Sequence, residues 1–342
     1  MGQELIAQLQ ANGDNNLRVL LIANSKKYLS SPKYEPLDLR NWKEHFDRDA
    51  KEYGSPPDLS ILISYLQSSP YPTCVVDCTA SDNVPSIYPR ILECGISVVT
   101  PNKKGLSGQL GLFHSISKEA AGNATVYYES TVGAGLPIIS TLQDLVETGD
   151  QVSKIEGIFS GTLSYIFNDF GSGTEKFSQV VKIAKEKGYT EPDPRDDLNG
   201  MDVARKLTIL ARTIGLQVEG PPSSSIFPIE SLIPAALESA RSGDEFLAGL
   251  PAHDAEFDEK RNEAKKSRQV LRYVGGIDVA TQTIKVGLQR YVQLGIGGLR
   301  DSYPVSHPFA SLQGSDNIIA FHTKRYGERP LIVQGAGYFV RG

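Results

Sequence analysis

Apolar residues recur along this chain in two textures, and the texture changes near residue 130. Before that point, short continuous apolar runs alternate with amphipathic stretches. Leu17 to Ala23 (LRVLLIA), Cys74 to Cys78 (CVVDC), Ile96 to Thr100 (ISVVT) and Thr125 to Glu129 (TVYYE) have strand length and β-branched content. A strand that is apolar on both sides suits a buried parallel sheet. Helical spacing covers 3–10, 58–67, 83–93 and 110–121, the second of these following the Pro56-Pro57 break. Strands alternating with helices predict an α/β sheet with parallel strands and helices on both faces. Ligands in such sheets sit beyond the carboxyl ends of the strands. Asn24, Thr79 and the PNKK segment at 101–104 all occupy such ends.

After residue 130 the pattern is α+β. Leu136 to Val146 reads as a helix and Ile155 to Phe159 as a strand. Helices follow at 161–170 and 176–187, then an acidic loop with its own helix, then a charged helix at 257–267. Val270 to Ile277, Thr283 to Leu288 and Ile318 to Thr323 read as strands, so an open mixed sheet is expected. No internal repeat is present.

Length and composition narrow the class. The chain's 342 residues suffice for two domains with their own cores. A 22% charged fraction is that of an ordinary soluble protein, and a net charge of −5 argues against a nucleic-acid surface, which needs clustered Lys and Arg. Cys74, Cys78 and Cys94 are the whole cysteine complement and form no CxxC pair, which points away from a disulfide framework or zinc site and toward a reducing, cytoplasmic setting. No apolar run approaches a membrane span, and no signal-peptide pattern is present. Met1-Gly2 starts like a myristoylation motif, but Ile6 stands where that motif needs Ser or Thr.

The densest candidate chemistry lies in Gly188 to Lys206, GYTEPDPRDDLNGMDVARK. Glu191, Asp193, Asp196, Asp197 and Asp202 crowd this stretch, and Arg205 and Lys206 close it. Proline keeps Glu191 and Asp193 out of the helical region. A helix entered near Asn199, a plausible N-cap, stacks Asp202 and Lys206 on one face. A stiff acidic loop delivering carboxylates to a helix with an ammonium suits a small substrate bearing an amine and a reacting oxygen. The same string also suits a solvated acidic loop followed by a helix with an i,i+4 ion pair.

Other segments carry weaker signals. Thr79 to Ser81 is a small polar turn that lets a cofactor approach the backbone, or an ordinary strand-to-helix turn. Lys103 and Lys104 point into a crevice, or into solvent. Glu129 with the Val132-Gly133-Ala134-Gly135-Leu136 bend offers oxygen ligands for a hard cation, or is a plain hinge. Ser160-Gly161-Thr162 opens a helix whose amides suit an anion, or is a simple cap. Ala23-Asn24-Ser25-Lys26-Lys27 lacks the acidic residue of an NAD site, which favours NADP over NAD. The five histidines form no spaced cluster.

Taken together, VVDCTAS, VVTPNKK, ESTVGAGLPII, GIFSGTLSYIF and GYTEPDPRDDLNGMDVARK resemble homoserine dehydrogenase, in the short monofunctional form of fungi. The likeness runs from about Gly2 to Gly337, with no aspartate-kinase domain. It implies an incomplete Rossmann-type NAD(P)-binding domain over 1–130 and a catalytic and dimerisation domain over 131–325. A segment over 326–342 would return toward the nucleotide domain. It implies reduction of L-aspartate 4-semialdehyde to L-homoserine, and the reverse, by a homodimer in threonine, methionine and isoleucine synthesis.

By position, the resemblance gives Lys206 proton transfer and places Lys103 near the reacting oxygen and nicotinamide. Glu191 and Asp202 would hold the substrate amine with Asp197 close by, and Gly161 and Thr162 would contact substrate. Thr79, Lys103, Ala23, Asn24 and Gly335 are the expected cofactor contacts. Glu129, Val132, Ala134 and Leu136 would bind a sodium-type ion, the last three through carbonyls. A lysine serving as base needs its pKa lowered; burial and Lys103 favour this, and Asp202 opposes it.

Three departures accompany the likeness. A dinucleotide fold opens with a strand and GxGxxG, whereas this chain opens at Met1-Gly2, with Gly2 in the place of the last glycine. Residues 293–304, QLGIGGLRDSYP, read as an insert loop. The chain closes on Gln334-Gly335-Ala336-Gly337 and YFVRG, where the family continues into a helix. These read as exon-boundary differences or a shortened gene product. The expected consequences are exposed strand edges, weak NADP binding and lowered stability. Two rival readings are a non-catalytic fragment that binds substrate or dimerises, and an oxidoreductase for another amino-acid semialdehyde.

Overall fold

The first apolar run forms less strand than its length predicts. The computed structural model describes residues 1–12, 17–54, 58–120, 122–221, 229–292 and 307–337. After helix α1 (Gly2–Ala11), only Leu21–Ala23 (β1) of the LRVLLIA run is strand, and Leu17 is exposed. β1 pairs antiparallel with Lys27–Ser30 (β2), which pairs antiparallel with Lys51–Glu52 (β3). The expected parallel strand is therefore corrected to a hairpin, and Asn24 is the reason. Its Oδ1 accepts the amides of Lys26 and Lys27, both at 2.8 Å, and its own amide donates to the Lys27 carbonyl at 2.9 Å. Asparagine bonded to the backbone two and three residues on turns the chain at once.

Helices α2 (Trp42–Asp49) and α3 (Ser60–Gln67) follow. The parallel sheet then has the order β4 (Cys74–Val76), β5 (Ser97–Val99), β6 (Val126–Tyr127), with Val76 beside Val99 and Val99 beside Tyr127. α4 (Tyr88–Glu93), α5 (Lys104–Ser107) and α6 (Leu110–Ala120) complete this half. Val98 is fully buried, as are Tyr88, Ile91 and Ile116, whereas Val76, Val99 and Tyr127 share an exposed face at 43%, 37% and 57%. Among the described residues the sheet is thus covered on one face only, not on both. β4 is an edge strand there, and β1 is an edge strand of its own sheet.

Two units emerge by packing, Met1–Gly105 with Gly111–Tyr128, and Leu106–Leu110 with Glu129–Gly342. The second holds α7 (Ile138–Glu147), β7 (Val152–Ile158), α8 (Gly161–Ser172), α9 (Phe177–Glu186), α10 (Arg195–Leu198), α11 (Met201–Thr213), α12 (Gly243–Gly249) and α13 (Asp254–Lys266). Its strands β8 (Gln269–Asp278), β9 (Thr283–Val292), β10 (Asp316–Thr323) and β11 (Leu331–Ala336) join β7 in the order β11-β10-β7-β8-β9. Every pairing is antiparallel, which corrects the expected mixed sheet. β11 was not predicted: alternate positions are partly exposed, as on a sheet edge, and Pro330 and Gly335 blur its pattern. The segment 293–304 and the YFVRG end lie outside the described residues.

Two buried arginines organise the second unit through carbonyls. Arg272 on β8 donates to the carbonyls of Leu271 and Phe309 (both 2.9 Å), Ala310 (3.2 Å), Leu312 (3.3 Å) and Phe167 (3.5 Å). Arg212 on α11 grips the strap Leu106–Leu110. It reaches the carbonyls of Leu106 at 2.6 Å and Gly108 at 2.7 Å while also holding Val218 at 2.9 Å. The Leu110 amide donates to Glu219 at 3.3 Å. Gly220 lies so close that a Cβ there would fall 2.1 Å from the Ser107 carbonyl oxygen and 2.5 Å from that of Gly108. Both obstacles are backbone, so Gly220→Ala is expected to cost about 1–3 kcal/mol by overpacking. A chemical denaturation midpoint equal to wild type would refute the close fit.

Candidate active site

In the second unit the site grows from the end of β7. Strand β7 stops at Ile158, and Phe159 then presents its carbonyl as the chain turns into α8. Ser160 caps that helix, its Oγ accepting the Leu163 amide at 3.2 Å. The amides of Gly161 and Thr162 thus belong to the first turn of a twelve-residue helix, whose N-terminal end favours an anion. The Thr162 hydroxyl donates to the Tyr189 carbonyl at 2.6 Å, tying α8 to the start of the acidic loop.

The loop departs from the expected single helix start. A separate turn, α10, precedes α11, and Gly200 between them is left-handed at φ 73°. A Cβ on Gly200 would lie 2.2 Å from the Tyr273 hydroxyl, so the position requires glycine on both counts. Asn199 still supplies a side-chain acceptor, its Oδ1 taking the Met201 amide at 2.8 Å.

This geometry gathers the carboxylates. Asp197 accepts the Glu191 amide at 2.8 Å. Burial pushes its carboxyl up to about 6; the Glu191 amide and Thr162 hydroxyl oppose the rise, and the charges of Glu191 and Asp202 add to it. Lys206 sits one turn beyond Asp202, its Nζ 2.6 Å from Asp202 Oδ2 and donating to the Phe159 carbonyl at 2.7 Å. The lysine side chain is 13% exposed and Asp202 is 41% exposed. Glu191, Asp197, Asp202, Lys206 and Thr162 are therefore linked within one unit, with Gly161 beside Thr162. Two acidic groups, Glu191 and Asp202, around the half-buried Asp197 carboxyl that resists ionisation form a site that gains from a cationic ligand.

In the first unit, Thr79 lies just past β4 and Lys103 just past β5, at the carboxyl ends of neighbouring parallel strands. The two turns are joined through Asp77, Tyr88, Thr100 and Asn102, which the motif reading did not single out. The carboxylate inside the apolar run CVVDC was the available signal. Asp77 Oδ1 accepts the Thr79 amide at 2.7 Å, and Oδ2 accepts the Tyr88 hydroxyl and, at 3.1 Å, Asn102 Nδ2. Lys104 is committed to Asp82 at 2.6 Å. Ala23 and Asn24 lie at the β1–β2 turn, with the Asn24 side chain used in that turn. Lys27 is 3.9 Å from Glu52.

The expected cation ligands lie in the second unit. The Glu129 carboxylate caps α7, accepting the amides of Ile139 at 2.8 Å and Ser140 at 2.9 Å. Gly133 and Ala134 are left-handed at φ 81° and 55°. The Gly133 carbonyl accepts the Leu136 amide and the Leu136 carbonyl accepts that of Ile138. Gly335 is on β11, where a Cβ would fall 2.8 Å from Leu136 Cδ2. Its closeness to Leu136 gives the glycine a packing reason.

A family model described as homoserine dehydrogenase, NAD binding domain, matches residues 1–129, and one described as homoserine dehydrogenase matches residues 137–338. The homoserine dehydrogenase of Schizosaccharomyces pombe is 47% identical over 98% of this chain and 88% of its own length. That of Saccharomyces cerevisiae is 47% identical over 93% and 85%. A Candida auris crystal structure of a protein of unknown function superposes with a TM-score of 0.85 at 45% identity, covering 98% of this chain and 89% of that one. A hyperthermophilic archaeal homoserine dehydrogenase in complex with NADPH shares the fold, with a TM-score of 0.66 at 21% identity over 98% and 88%. The matches run through both halves, so the non-catalytic fragment reading is not favoured. With both family models matched in tandem and close fungal relatives along nearly its whole length, the chain belongs to the homoserine dehydrogenase family and is an NAD(P)-dependent oxidoreductase.

Proposed function

We propose that the chain interconverts L-aspartate 4-semialdehyde and L-homoserine with NADPH preferred, as a cytoplasmic homodimer supplying threonine, methionine and isoleucine synthesis. The observation that carries this reading is the Lys206–Asp202 pair beside the Phe159 carbonyl, with Asp197 and Glu191 alongside. The nicotinamide, when bound, accepts or donates the hydride. Lys206 Nζ takes the hydroxyl proton during oxidation and returns it during reduction. Asp202 and the Phe159 carbonyl hold that nitrogen in place. Glu191, Asp197 and Asp202 receive the substrate ammonium, and the first-turn amides at Gly161 and Thr162 receive its carboxylate.

The first unit fits a dinucleotide by the chemistry of its strand ends. Thr79 and Lys103 offer a hydroxyl and an ammonium at adjacent strands, with Ala23 and Asn24 as further contacts. Lys26 and Lys27, with no acidic residue beside Ala23, support NADP over NAD. For a sodium-type ion, the oxygen-only set of Glu129, Val132, Ala134 and Leu136 fits a hard cation. The left-handed backbone at Gly133 and Ala134 supports that assignment. No helix among the described residues is long and apolar enough to cross a membrane.

The test is NADPH oxidation on adding L-aspartate 4-semialdehyde to the purified chain, followed by the KM for L-homoserine against pH. Ionised Asp197 attracts the ammonium and protonated Asp197 does not. The KM is therefore expected to rise as pH falls through about 6, and Asp197→Asn to remove that rise while weakening binding at higher pH. A wild-type KM that is flat between pH 5 and 7 would remove Asp197 from the amine site.

A further inference from the structure

The buried polar network of the first unit is larger than support of a turn requires. Asp77 is 3% exposed and Asn102 4% exposed. Three donors converge on the Asp77 carboxylate: the Thr79 amide, the Tyr88 hydroxyl and Asn102 Nδ2. Burial, and then the bond to Asp77, raise the Tyr88 hydroxyl's pKa, so Tyr88 stays a donor. The Thr100 hydroxyl donates to the Asp77 carbonyl at 3.0 Å and accepts the Asn102 amide at 2.9 Å.

Asn102 is held from every side. Nδ2 also donates to the Ser81 carbonyl at 2.9 Å and lies 3.4 Å from Thr79 Oγ1, while Oδ1 accepts the Lys104 amide at 3.1 Å. The backbone is thus pinned immediately before Lys103 by the Asn102 amide and immediately after it by the Lys104 amide. Both pins lead to Asp77, the first through Thr100 to its carbonyl and the second through the Asn102 side chain to its buried carboxylate, which also fixes the Thr79 amide on the neighbouring strand end. A buried, fully bonded polar network specifies geometry where an apolar core would leave it loose.

Resting on the dehydrogenase reading, we propose that Asn102, anchored by Asp77, is a positioning residue that aims Lys103 and sets its spacing from Thr79. It acts through Lys103 and touches no reacting atom itself. Displacing a catalytic group by about 1 Å costs on the order of a hundredfold. Asn102→Ala is therefore expected to lower kcat about 10- to 100-fold while leaving the KM for L-homoserine within about threefold, because the amine site lies in the other unit.

The experiment is a double-mutant cycle of Asn102→Ala and Lys103→Ala, read in kcat, in the Kd for NADPH by its fluorescence, and in Tm. The expected result is strong non-additivity: in the Lys103→Ala background, Asn102→Ala adds no more than about twofold to the loss. Losses that multiply, or a change confined to Tm, would overturn the proposal. If Asn102→Ala does not fold, Asp77→Asn takes its place; it keeps the shape and sets donor against donor. If the wild type turns over no substrate, the dehydrogenase reading fails separately. The same cycle in NADPH Kd then decides: coupling supports the proposal, whereas additivity or absent NADPH binding ends it.

Discussion

Lys206→Ala lowers kcat by about 10²–10⁴, the range that one positioned acid–base group supplies, while the KM for L-homoserine changes only a few-fold. The asymmetry follows from the division of labour around α11. The carboxylates assigned to the amine remain, and Asp202, which loses its ion pair, is exposed enough for water to replace the ammonium. Phe159 is 1% exposed and its carbonyl loses a donor, so a stability loss of about 1–3 kcal/mol is expected beside the loss of activity. Lys206→Arg is expected to be nearly as inactive, because a guanidinium keeps its proton in proteins and cannot act as base. Steady-state kinetics in both directions checks this. A Lys206→Ala enzyme that keeps more than about a tenth of wild-type kcat would shift the proton-transfer role to Lys103.

Arg272→Leu has the largest expected effect on stability. The wild-type side chain is 4% exposed and meets five backbone carbonyls. Burial alone brings its pKa down to about 10, so it remains charged near neutrality. Leucine fills the volume and leaves those acceptors dry. Each orphaned buried acceptor costs about 1–3 kcal/mol, and partial relaxation leaves a loss of about 4 kcal/mol. For a protein of this size that corresponds to a fall in Tm of roughly 6 °C. The 3₁₀ turn Pro308–Ser311, whose carbonyls Arg272 holds, is expected to lose hydrogen-exchange protection first. A calorimetric loss under about 1 kcal/mol would show that water reaches these carbonyls.

Much of the candidate site was legible because its chemistry is compressed into nearby positions. Glu191, Asp197, Asp202 and Lys206 fall in one stretch, and helical periodicity alone stacks the last two. The long strands β8 and β10 were legible for a related reason: each carries its own apolar signal. What stayed hidden depends on side chains bonding to backbone or across distance. Asn24 turned a strand-like run into a hairpin, and no hydrophobic pattern encodes that. Gly200 reads as a plain residue in LNGMD until Tyr273, more than seventy positions on, is found filling its missing side chain. Asp77 and Asn102 are 25 positions apart, so their partnership appears only when β4 and β5 lie side by side.

The grip of Arg212 on Leu106 and Gly108 bears on how this chain can be divided. A cut near Glu129 looks natural on the sequence, since one family match ends at residue 129 and the other begins at 137. Yet the second unit is discontinuous: five residues from upstream, Leu106–Leu110, pack with it, Leu106 and Ser107 buried. A fragment starting at Glu129 would keep the socket and lose the strap. Its Arg212 guanidinium would then face a cavity, with Gly220 and Glu219 lining empty space. Domain-swap chimeras and separately expressed halves of this enzyme therefore need a seam that carries residues 106–110 with the second unit, by circular permutation or by a grafted loop.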